Sequence, residues 1–282
     1  MKTYANKIIA AIVLFCVLGL IVYKFVNINE ALAVEKKTAF VVINDESTKE
    51  LGPMPIDRKY IADAITKLKQ YGAKGVAIKF FYDRETPSDG YLASSMKGIP
   101  VLLQYSLFDK ENDGRTTPRI TDSNSANNLL HGKPDMVPNS ILKENMNSMG
   151  FVNSYVEDTN NHIVMIGGSN KQIVESLQLK IMRLVSDSKI SVDKNQIHIG
   201  NHNISINSKG EISCGFLNIG KPNEISMVDI LKNNVDPAII KDKVVVIGYV
   251  RSDSPILKYT LFHSMPIHEY FYRQIMCIAG LM

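Results

Sequence analysis

Charged and polar side chains follow the predicted strands at the points where those strands end. Asp45 and Ser47 come after the first strand, Asp83 after the second, and Arg251 and Asp253 after the last. In parallel α/β sheets, ligands bind beyond the carboxyl ends of the strands, where loops and helix N-termini converge. Carboxylates mixed with one arginine suit a polar small ligand or a hard cation. The alternative is that Asp45 and Asp83 only end their strands and cap the following turns or helices.

Two other groups of residues contain side chains that could bind a metal. The run 109–114 (DKENDG) has the acidic start of a calcium loop, but position 120 is Ile120, so the bidentate acid is missing and a solvated loop is favoured. His198 and His202 lie close in sequence, but such a pair is more often structural or exposed. We therefore expect no metal and no cofactor.

Nucleophilic catalysis is not favoured either. No histidine in the sequence is an obvious partner for Ser47, and no G-x-S-x-G elbow occurs. His263 and His268 lie near the end of the chain and could reach any part of the fold. We expect no enzyme, and a hydrolase with its site at the strand ends is kept as an alternative.

These residues must be positioned by strands that alternate with helices. Apolar, β-branched runs predict buried strands at 38–44, 75–82, 101–108 and 244–249. Between them, Asp57 is predicted to cap a helix with apolar spacing, and Asp89 to cap a short helix. The alternation predicts an α/β fold with a largely parallel or mixed sheet flanked by helices.

The regular pattern lapses in the middle of the chain and then returns. The polar stretch 109–147 is predicted to be a long surface excursion. Strand-like runs at 149–156 and 162–167 flank a hairpin turn at 157–161. Further patterns predict a helix with Ile173, Leu177, Ile181 and Leu184 on one face, short strands at 196–199, 203–207 and 211–217, a brief helix at 227–231, and a closing helix from Pro266.

The N-terminal segment predicts a membrane anchor. Residues 8–26 are apolar except for Lys24, and nineteen residues of helix span roughly 28 Å, close to the thickness of the hydrocarbon core. Lys24 falls near one end, where its charge can reach the interface. The alternatives are a cleaved secretory signal, with Ala31-Leu32-Ala33 as its cleavage site, and a buried soluble helix.

Composition excludes two classes of function. The net charge of +4 comes from scattered lysines and from arginines that are never adjacent, so a nucleic-acid binder is excluded. Of the three cysteines, Cys16 lies in the anchor and Cys277 near the end, so only Cys214 lies inside the domain. We therefore expect neither an internal disulfide nor a Cys/His zinc site.

The order of short motifs after the anchor resembles the type-two CHASE domain, a class of extracellular sensory domain associated with cyclases and histidine kinases. The matching segments are 41–47 (VVINDES), 52–58 (GPMPIDR), 68–78 (LKQYGAKGVAI), 88–96 (SDGYLASSM), 150–161 (GFVNSYVEDTNN), 226–231 (SMVDIL), 241–248 (KDKVVVIG) and the residues around Met265, Pro266 and Glu269. The chain departs from the family at Lys79, where an acidic residue is usual, and at Asn161, Val164 and Ile267.

The resemblance implies a single-pass protein of the cytoplasmic membrane, with its N-terminus in the cytoplasm and its main domain outside. We expect a cytoplasmic tail at 1–7, an anchor at 8–26, a linker at 27–37, a sensor domain at 38–270, and a C-terminal helix at 271–282 where a second membrane segment would start. No output module is recognised before Met282, so we expect a truncated receptor or a sensor that works through a separate membrane partner.

The sequence therefore favours a membrane-anchored sensory domain that binds a small ligand of unknown identity. A homodimer is compatible with this interpretation. The main alternative is a non-catalytic interaction or envelope-assembly protein that uses the same fold.

Overall fold

The computed structural model describes residues 13–14, 16–19, 36–108, 129–152, 162–169, 172–193, 195–213, 222–254, 256–258 and 264–281. Within these ranges, no helix is both long enough and apolar enough to cross a bilayer. Residues 13–14 and 16–19 of the predicted anchor are helical and exposed, and the rest of 8–26 lies outside the described residues. The membrane span therefore stays a prediction.

Strands and α-helices alternate in the part of the chain from Thr38 to Phe108, and strands predominate in the described residues after it. The strands are β1 (Thr38–Ile43), β2 (Gly75–Ile78), β3 (Val101–Phe108), β4 (Leu130–His131), β5 (Lys133–Asp135), β6 (Ser148–Phe151), β7 (His162–Val164), β8 (Ile166–Ser169), β9 (Gln172–Glu175), β10 (Ile190–Val192), β11 (Gln196–Ile199), β12 (His202–Ser205), β13 (Glu211–Ser213), β14 (Glu224–Ser226), β15 (Val244–Tyr249), β16 (Ile256–Lys258) and β17 (Ser264–Pro266). The α-helices are α1 (Asp45–Leu51), α2 (Arg58–Gln70), α3 (Asp89–Ser95), α4 (Ser140–Lys143), α5 (Leu177–Ser186), α6 (Met227–Lys232) and α7 (Ile267–Gly280).

The central sheet has the order β14-β1-β15-β2-β3, and both β6 and β5 pair with β3. All of these pairings are parallel except that of β5 with the end of β3. β15 lies between β1 and β2, with Thr38 opposite Val244 and Ile43 opposite Tyr249. The predicted parallel or mixed sheet flanked by helices is confirmed. Because both faces of the sheet are covered, β1 is buried along its whole length.

Hydrophobic side chains fill the space on each face of the sheet. On one face, α2, α3 and α6 pack against alternate residues of the strands, among them Val41, Ile78 and Ile247. On the other face, α5, α7 and the small sheet β10-β11-β12 pack against residues such as Phe40 and Val246. All residues from 271 to 279 of α7 except Arg273 are buried, and the hydrophobic ones among them belong to this second core. The C-terminal segment predicted to begin at residue 271 therefore packs with the domain.

Several local predictions need correction. Ile173 lies in β9 and is 54% exposed, so it does not belong to the face of α5 that buries Leu177 and Ile181. The second predicted strand ends at Ile78, after which the chain leaves the sheet. Asp57 caps α2 as predicted, by accepting from the Lys59 N–H. Asp89 does not cap α3 with its side chain, because that carboxylate is fully buried and paired elsewhere. The hairpin at 157–161 lies outside the described residues.

The expectation of a domain without a disulfide is wrong. Cys277, buried on α7, is disulfide-bonded, whereas Cys16 is an exposed free thiol. Cys214, the other cysteine of the chain, lies outside the described residues. Spacing alone did not reveal this bond because a disulfide depends on the approach of two segments in the fold.

Candidate functional site

Three of the five candidate residues meet at the carboxyl edge of the sheet. The Arg251 guanidinium lies 3.6 Å from the Asp45 carboxylate and 2.9 Å from that of Asp253. Ser252 donates its N–H (3.0 Å) and its hydroxyl (3.2 Å) to Asp45. The backbone hydrogen bond from Ser252, followed by the hydroxyl bond and Arg251, holds the pKa of Asp45 below its ordinary value. The cluster joins the ends of β1 and β15, and its charges are largely paired.

The fourth candidate, Ser47, is buried inside the first turn of α1. Its backbone N–H and its hydroxyl both donate to the Asn44 carboxamide oxygen at 2.8 Å. Its hydroxyl also lies 3.4 Å from that of Ser226 at the end of β14. Asn44, and not Asp45, is therefore the N-cap of α1. Ser47 serves the local structure of this helix start.

The fifth candidate, Asp83, lies in the lining of a separate cavity of about 600 Å³. None of the other four candidates belongs to this lining. Two segments line the cavity, one that leads into α2 and one that follows β2: Met54, Pro55, Ile56, Asp57, Arg58, Ile61, Phe80, Phe81, Tyr82, Asp83, Arg84, Thr86, Pro87 and Ser88. A concave, mostly apolar space of this size fits the range of about 300–1,000 Å³ that is usual for small-molecule sites.

A buried ion pair fixes the loop that closes one side of this cavity. Arg58 donates one Nη to the Asp89 carboxylate and the other to the Arg84 carbonyl at 2.7 Å. Thr86 N–H and Asn139 Nδ2 donate to the other Asp89 oxygen at 2.9 and 2.8 Å. Burial acts to raise the pKa of Asp89, but the bonds from Thr86 and Arg58 outweigh it, so the pKa is lowered. The carboxylate is therefore ionised and fully paired.

A second contact ties the two cavity walls together. The Asp57 carboxylate, which caps α2, also accepts from the Ser88 hydroxyl at 2.6 Å. The Lys59 N–H bond, followed by the Ser88 hydroxyl bond, holds the pKa of Asp57 below its ordinary value. The helix start and the loop before α3 are thereby held in one fixed geometry.

Tyr82 carries a buried polar atom without a partner in this cavity lining. Its side chain is 6% exposed, and the Arg58 guanidinium lies over its ring, 4.6 Å from the centroid. Its hydroxyl has no hydrogen-bond partner among the described residues. Burial raises the pKa of Tyr82, so the hydroxyl stays protonated and can donate. A buried hydroxyl without a partner is costly in a native protein, so this atom is an unusual feature of the wall of the cavity.

The cavity wall reaches the C-terminal helix through aromatic contacts. The Phe80 ring stacks on the Tyr249 ring (centroids 6.0 Å apart) and lies 5.7 Å from the ring of His268 in the first turn of α7. The Tyr249 N–H donates to His268 Nδ1 at 3.2 Å. Burial and then the nearby Lys79 lower the pKa of His268, so the ring is neutral. Phe80 therefore lies between the cavity and α7.

Lys79 precedes Phe80 in the chain and also lies close to α7. It is 6% exposed, and its ammonium lies 4.8 Å from the ring centroid of Phe271 on α7. Burial lowers its pKa to about 8, and no acidic side chain in the described part of the chain pairs with it. The sequence indicated only that lysine is unusual here. The burial that makes a charged lysine at this position unfavourable for folding is visible only in the tertiary structure.

Sequence reasoning missed the main groups of the cavity, although two of its motifs contained them. Arg58 ends GPMPIDR and Asp89 lies in SDGYLASSM, but nothing in either motif indicates that the two side chains meet. Among the described residues, no group of three or more His, Cys, Asp or Glu side chains could hold a metal ion.

Comparison with protein families identifies a match to a family of sensory domains. The model described as the CHASE2 domain matches residues 11–279, which is almost the whole chain. No curated protein and no solved structure matches the chain.

Proposed function

We propose, because the chain belongs to the CHASE2 family of sensory domains, that it is a membrane-anchored sensor whose cavity binds a small ligand outside the cytoplasm. The observation that carries this proposal is the cavity of about 600 Å³, whose lining combines apolar and aromatic side chains with the charged Arg58 and Asp83. The enclosed ion pair of Arg58 and Asp89 holds the cavity ready for a ligand, which reduces the entropy cost of binding. The chain binds and does not catalyse.

Two features support a location outside the cytoplasm. Cys277 is disulfide-bonded, and structural disulfides persist in oxidising compartments. The apolar segment 8–26 has the length of a membrane helix, and an N-terminus in the cytoplasm would place the disulfide on the oxidising side. A separate membrane protein would receive the signal, and a homodimer would be a suitable form of the receptor.

The signal would leave the cavity through Phe80. A ligand that displaces the Phe80 ring changes the packing of that ring on Tyr249 and His268. The change would favour one of two positions of α7 relative to the rest of the domain. Such a population shift requires only that the ligand binds the two positions with different affinity. The mechanism predicts that ligand binding in the cavity alters hydrogen exchange in α7.

The test is a thermal-shift screen of uncharged and charged fragments on the full-length chain in detergent micelles. A saturable rise in Tm identifies ligands of the folded state. Hydrogen exchange of residues 267–280 is then measured with and without the best fragment. The proposal expects a change of exchange in α7. Absence of any stabilising fragment, together with capture of a membrane protein, would instead support the interaction protein.

A matched pair of variants tests the signal path. Phe80 and Phe81 both line the cavity, but of the two only the Phe80 ring contacts the His268 ring in the described part of the chain. Phe80→Leu is expected to abolish the effect of the fragment on α7, whereas Phe81→Leu leaves it unchanged. Equal effects in the two variants would exclude Phe80 as the connection.

The topology is tested independently by adding a C-terminal protease site to the full chain. External protease should cleave that site in intact spheroplasts if the domain lies outside the cytoplasm. Cleavage only after lysis of the spheroplasts would refute the location.

A further inference from the structure

The cavity presents an apolar surface and, beside it, two side chains of opposite charge. Ile56, Ile61 and Phe80 belong to the apolar part of the lining, and Asp83 and Arg84 follow each other in the loop after β2. Burial of apolar ligand surface supplies the main favourable term in binding, while a few polar groups orient the ligand. The inference that follows rests on the proposed ligand-binding function and concerns the chemical class of that ligand.

The other two charged residues of the lining already have partners. The Arg58 guanidinium is paired with the fully buried Asp89 carboxylate and also donates to a backbone carbonyl. An anionic group beside Arg58 would therefore lie next to a second negative charge. One oxygen of the Asp57 carboxylate accepts from both the Lys59 N–H and the Ser88 hydroxyl. These contacts hold the cavity wall in shape, so Arg58 and Asp57 are not the groups that select a ligand.

Asp83 and Arg84 have charged groups that are available to a ligand. Both residues are exposed and both line the cavity. Within the described ranges, neither the Asp83 carboxylate nor the Arg84 guanidinium takes part in a hydrogen bond or an ion pair, and the two do not pair with each other. Their Cα atoms are about 3.8 Å apart, the fixed spacing of neighbouring residues. Opposite charges that start from adjacent positions can contact the two charges of one small molecule.

We propose that the cavity binds a zwitterion with an apolar body, of the kind represented by an apolar α-amino acid. The ammonium group of the ligand contacts the Asp83 carboxylate, and the carboxylate of the ligand contacts the Arg84 guanidinium. The apolar side chain of the ligand packs against Ile61 and Phe80. A volume of about 600 Å³ is sufficient for a molecule of this size. A molecule that lacks either charge leaves one of the two protein side chains with water as its partner.

Solvent limits the contribution of each ionic contact. Because Asp83 and Arg84 are exposed, each contact should change the affinity only roughly threefold at low salt. Added salt screens such contacts, whereas the apolar part of the binding does not depend on charge. The ionic contacts are therefore recognised by a preference that is present at low salt and largely lost in about 0.5 M NaCl.

Three probes of similar shape test this inference: L-phenylalanine, phenethylamine and 3-phenylpropionate. L-phenylalanine carries both charges, phenethylamine lacks the carboxylate, and 3-phenylpropionate lacks the ammonium group. Affinities are measured by calorimetry on the full-length chain in micelles, with correction for partition into empty micelles. At low salt, L-phenylalanine should bind roughly threefold more tightly than each of the other two probes.

Two variants assign the two charges of the ligand to their partners. Asp83→Asn should remove the advantage of L-phenylalanine over 3-phenylpropionate and keep its advantage over phenethylamine. Arg84→Gln should do the reverse. Glu85→Gln is the control, because Glu85 is exposed, adjacent in the chain and outside the cavity lining, and it should leave all three affinities unchanged. All three substituted side chains are exposed, so the Tm should stay close to that of the wild type.

Three results would overturn the inference: no binding of L-phenylalanine, equally tight binding of either analogue, or preferences that Asp83→Asn and Arg84→Gln leave intact. These failures differ from failure of the proposed sensor. If another fragment stabilises the chain and changes exchange in α7, the sensor stands and the ligand class is wrong. If L-phenylalanine binds as expected but exchange in α7 does not change, the ligand class stands and the signal path fails.

Discussion

Replacing Lys79 by methionine should stabilise this protein at neutral pH. The ammonium is buried without an acidic partner in the described residues, and burial lowers its pKa from an ordinary value of 10.5 to about 8. Each unit of pKa difference corresponds to about 1.4 kcal/mol, so protonated Lys79 costs the fold about 3 kcal/mol. Methionine has a similar length and no charge, and it tolerates an irregular apolar site.

The contact between the ammonium and Phe271 recovers part of that cost. Such a contact contributes about 1 kcal/mol, or somewhat more when it is desolvated. The net gain expected for Lys79→Met is therefore about 2 kcal/mol at pH 7. For a domain of this size, that gain raises the Tm by roughly 4–8 °C.

The pH dependence provides a second check with a definite sign. Below pH 8, Lys79 is protonated in the folded and unfolded states, and the folded state carries the whole cost. Between pH 8 and 10.5, the folded state releases the proton while the unfolded state keeps it, so the stability of the wild type rises with pH. The advantage of Lys79→Met should therefore shrink over this range and disappear above it.

The assay is urea unfolding of the full-length chain in micelles, followed by circular dichroism between pH 7 and 10.5. The exposed Lys97 provides the control, and Lys97→Met should change stability by less than about 0.5 kcal/mol. A variant less stable than the wild type at pH 7 would refute the reasoning. So would a stability difference between the two proteins that stays constant from pH 7 to 10.5.

Three further predictions concern stability. A Cβ on Gly150 would lie 2.8 Å from the Ser176 carbonyl carbon, so Gly150→Ala should lower the free energy of unfolding in urea by about 2–3 kcal/mol. Gly90→Ala is the control: a Cβ on Gly90 meets nothing within 4 Å, so this variant should be neutral or stabilising in the same assay. Because the pKa of Asp89 is lowered in the folded state, the ionised carboxylate stabilises the fold at pH values above 3.8, the ordinary pKa of the group. This stabilisation is lost as the pH falls through the lowered pKa of the folded state. Asp89→Asn should therefore unfold about 3 kcal/mol more easily at pH 7, and its stability difference from the wild type should vanish in acid unfolding. Cys277→Ser should lower stability by about 2–5 kcal/mol and remove the effect of dithiothreitol on Tm, while Cys16→Ser should do neither.

The strands of the central sheet were predictable because their signal is local. The apolar runs at 38–44, 101–108 and 244–249 coincide with β1, β3 and β15 to within one residue. A strand covered on both faces must be apolar at every position, which a short window of sequence reveals. The run at 75–82 was predicted too long, because Phe80 and Tyr82 are apolar for a different reason: they line the cavity.

The family and the general kind of function also followed from the sequence. Motifs in a fixed order indicated a CHASE domain, and the match over 11–279 confirms it. The membrane anchor and the extracytoplasmic location stay predictions. The five candidate residues were chosen on the correct principle, that groups after parallel strands converge, and Asp45, Arg251 and Asp253 do lie together.

The sequence by itself determined the main strands of the central sheet, the helix that starts after Asp57, and the family to which the chain belongs. Only the tertiary structure decided that the concave site lies between the start of α2 and the loop after β2, with Asp83 in its lining. It also decided that Arg58 pairs with Asp89, 31 positions away, and that the Tyr82 hydroxyl has no hydrogen-bond partner within the described ranges. Strand and helix patterns arise from neighbours in the chain. Burial, ion pairing and an unpaired hydroxyl depend on which distant segments the folded sheet brings into contact.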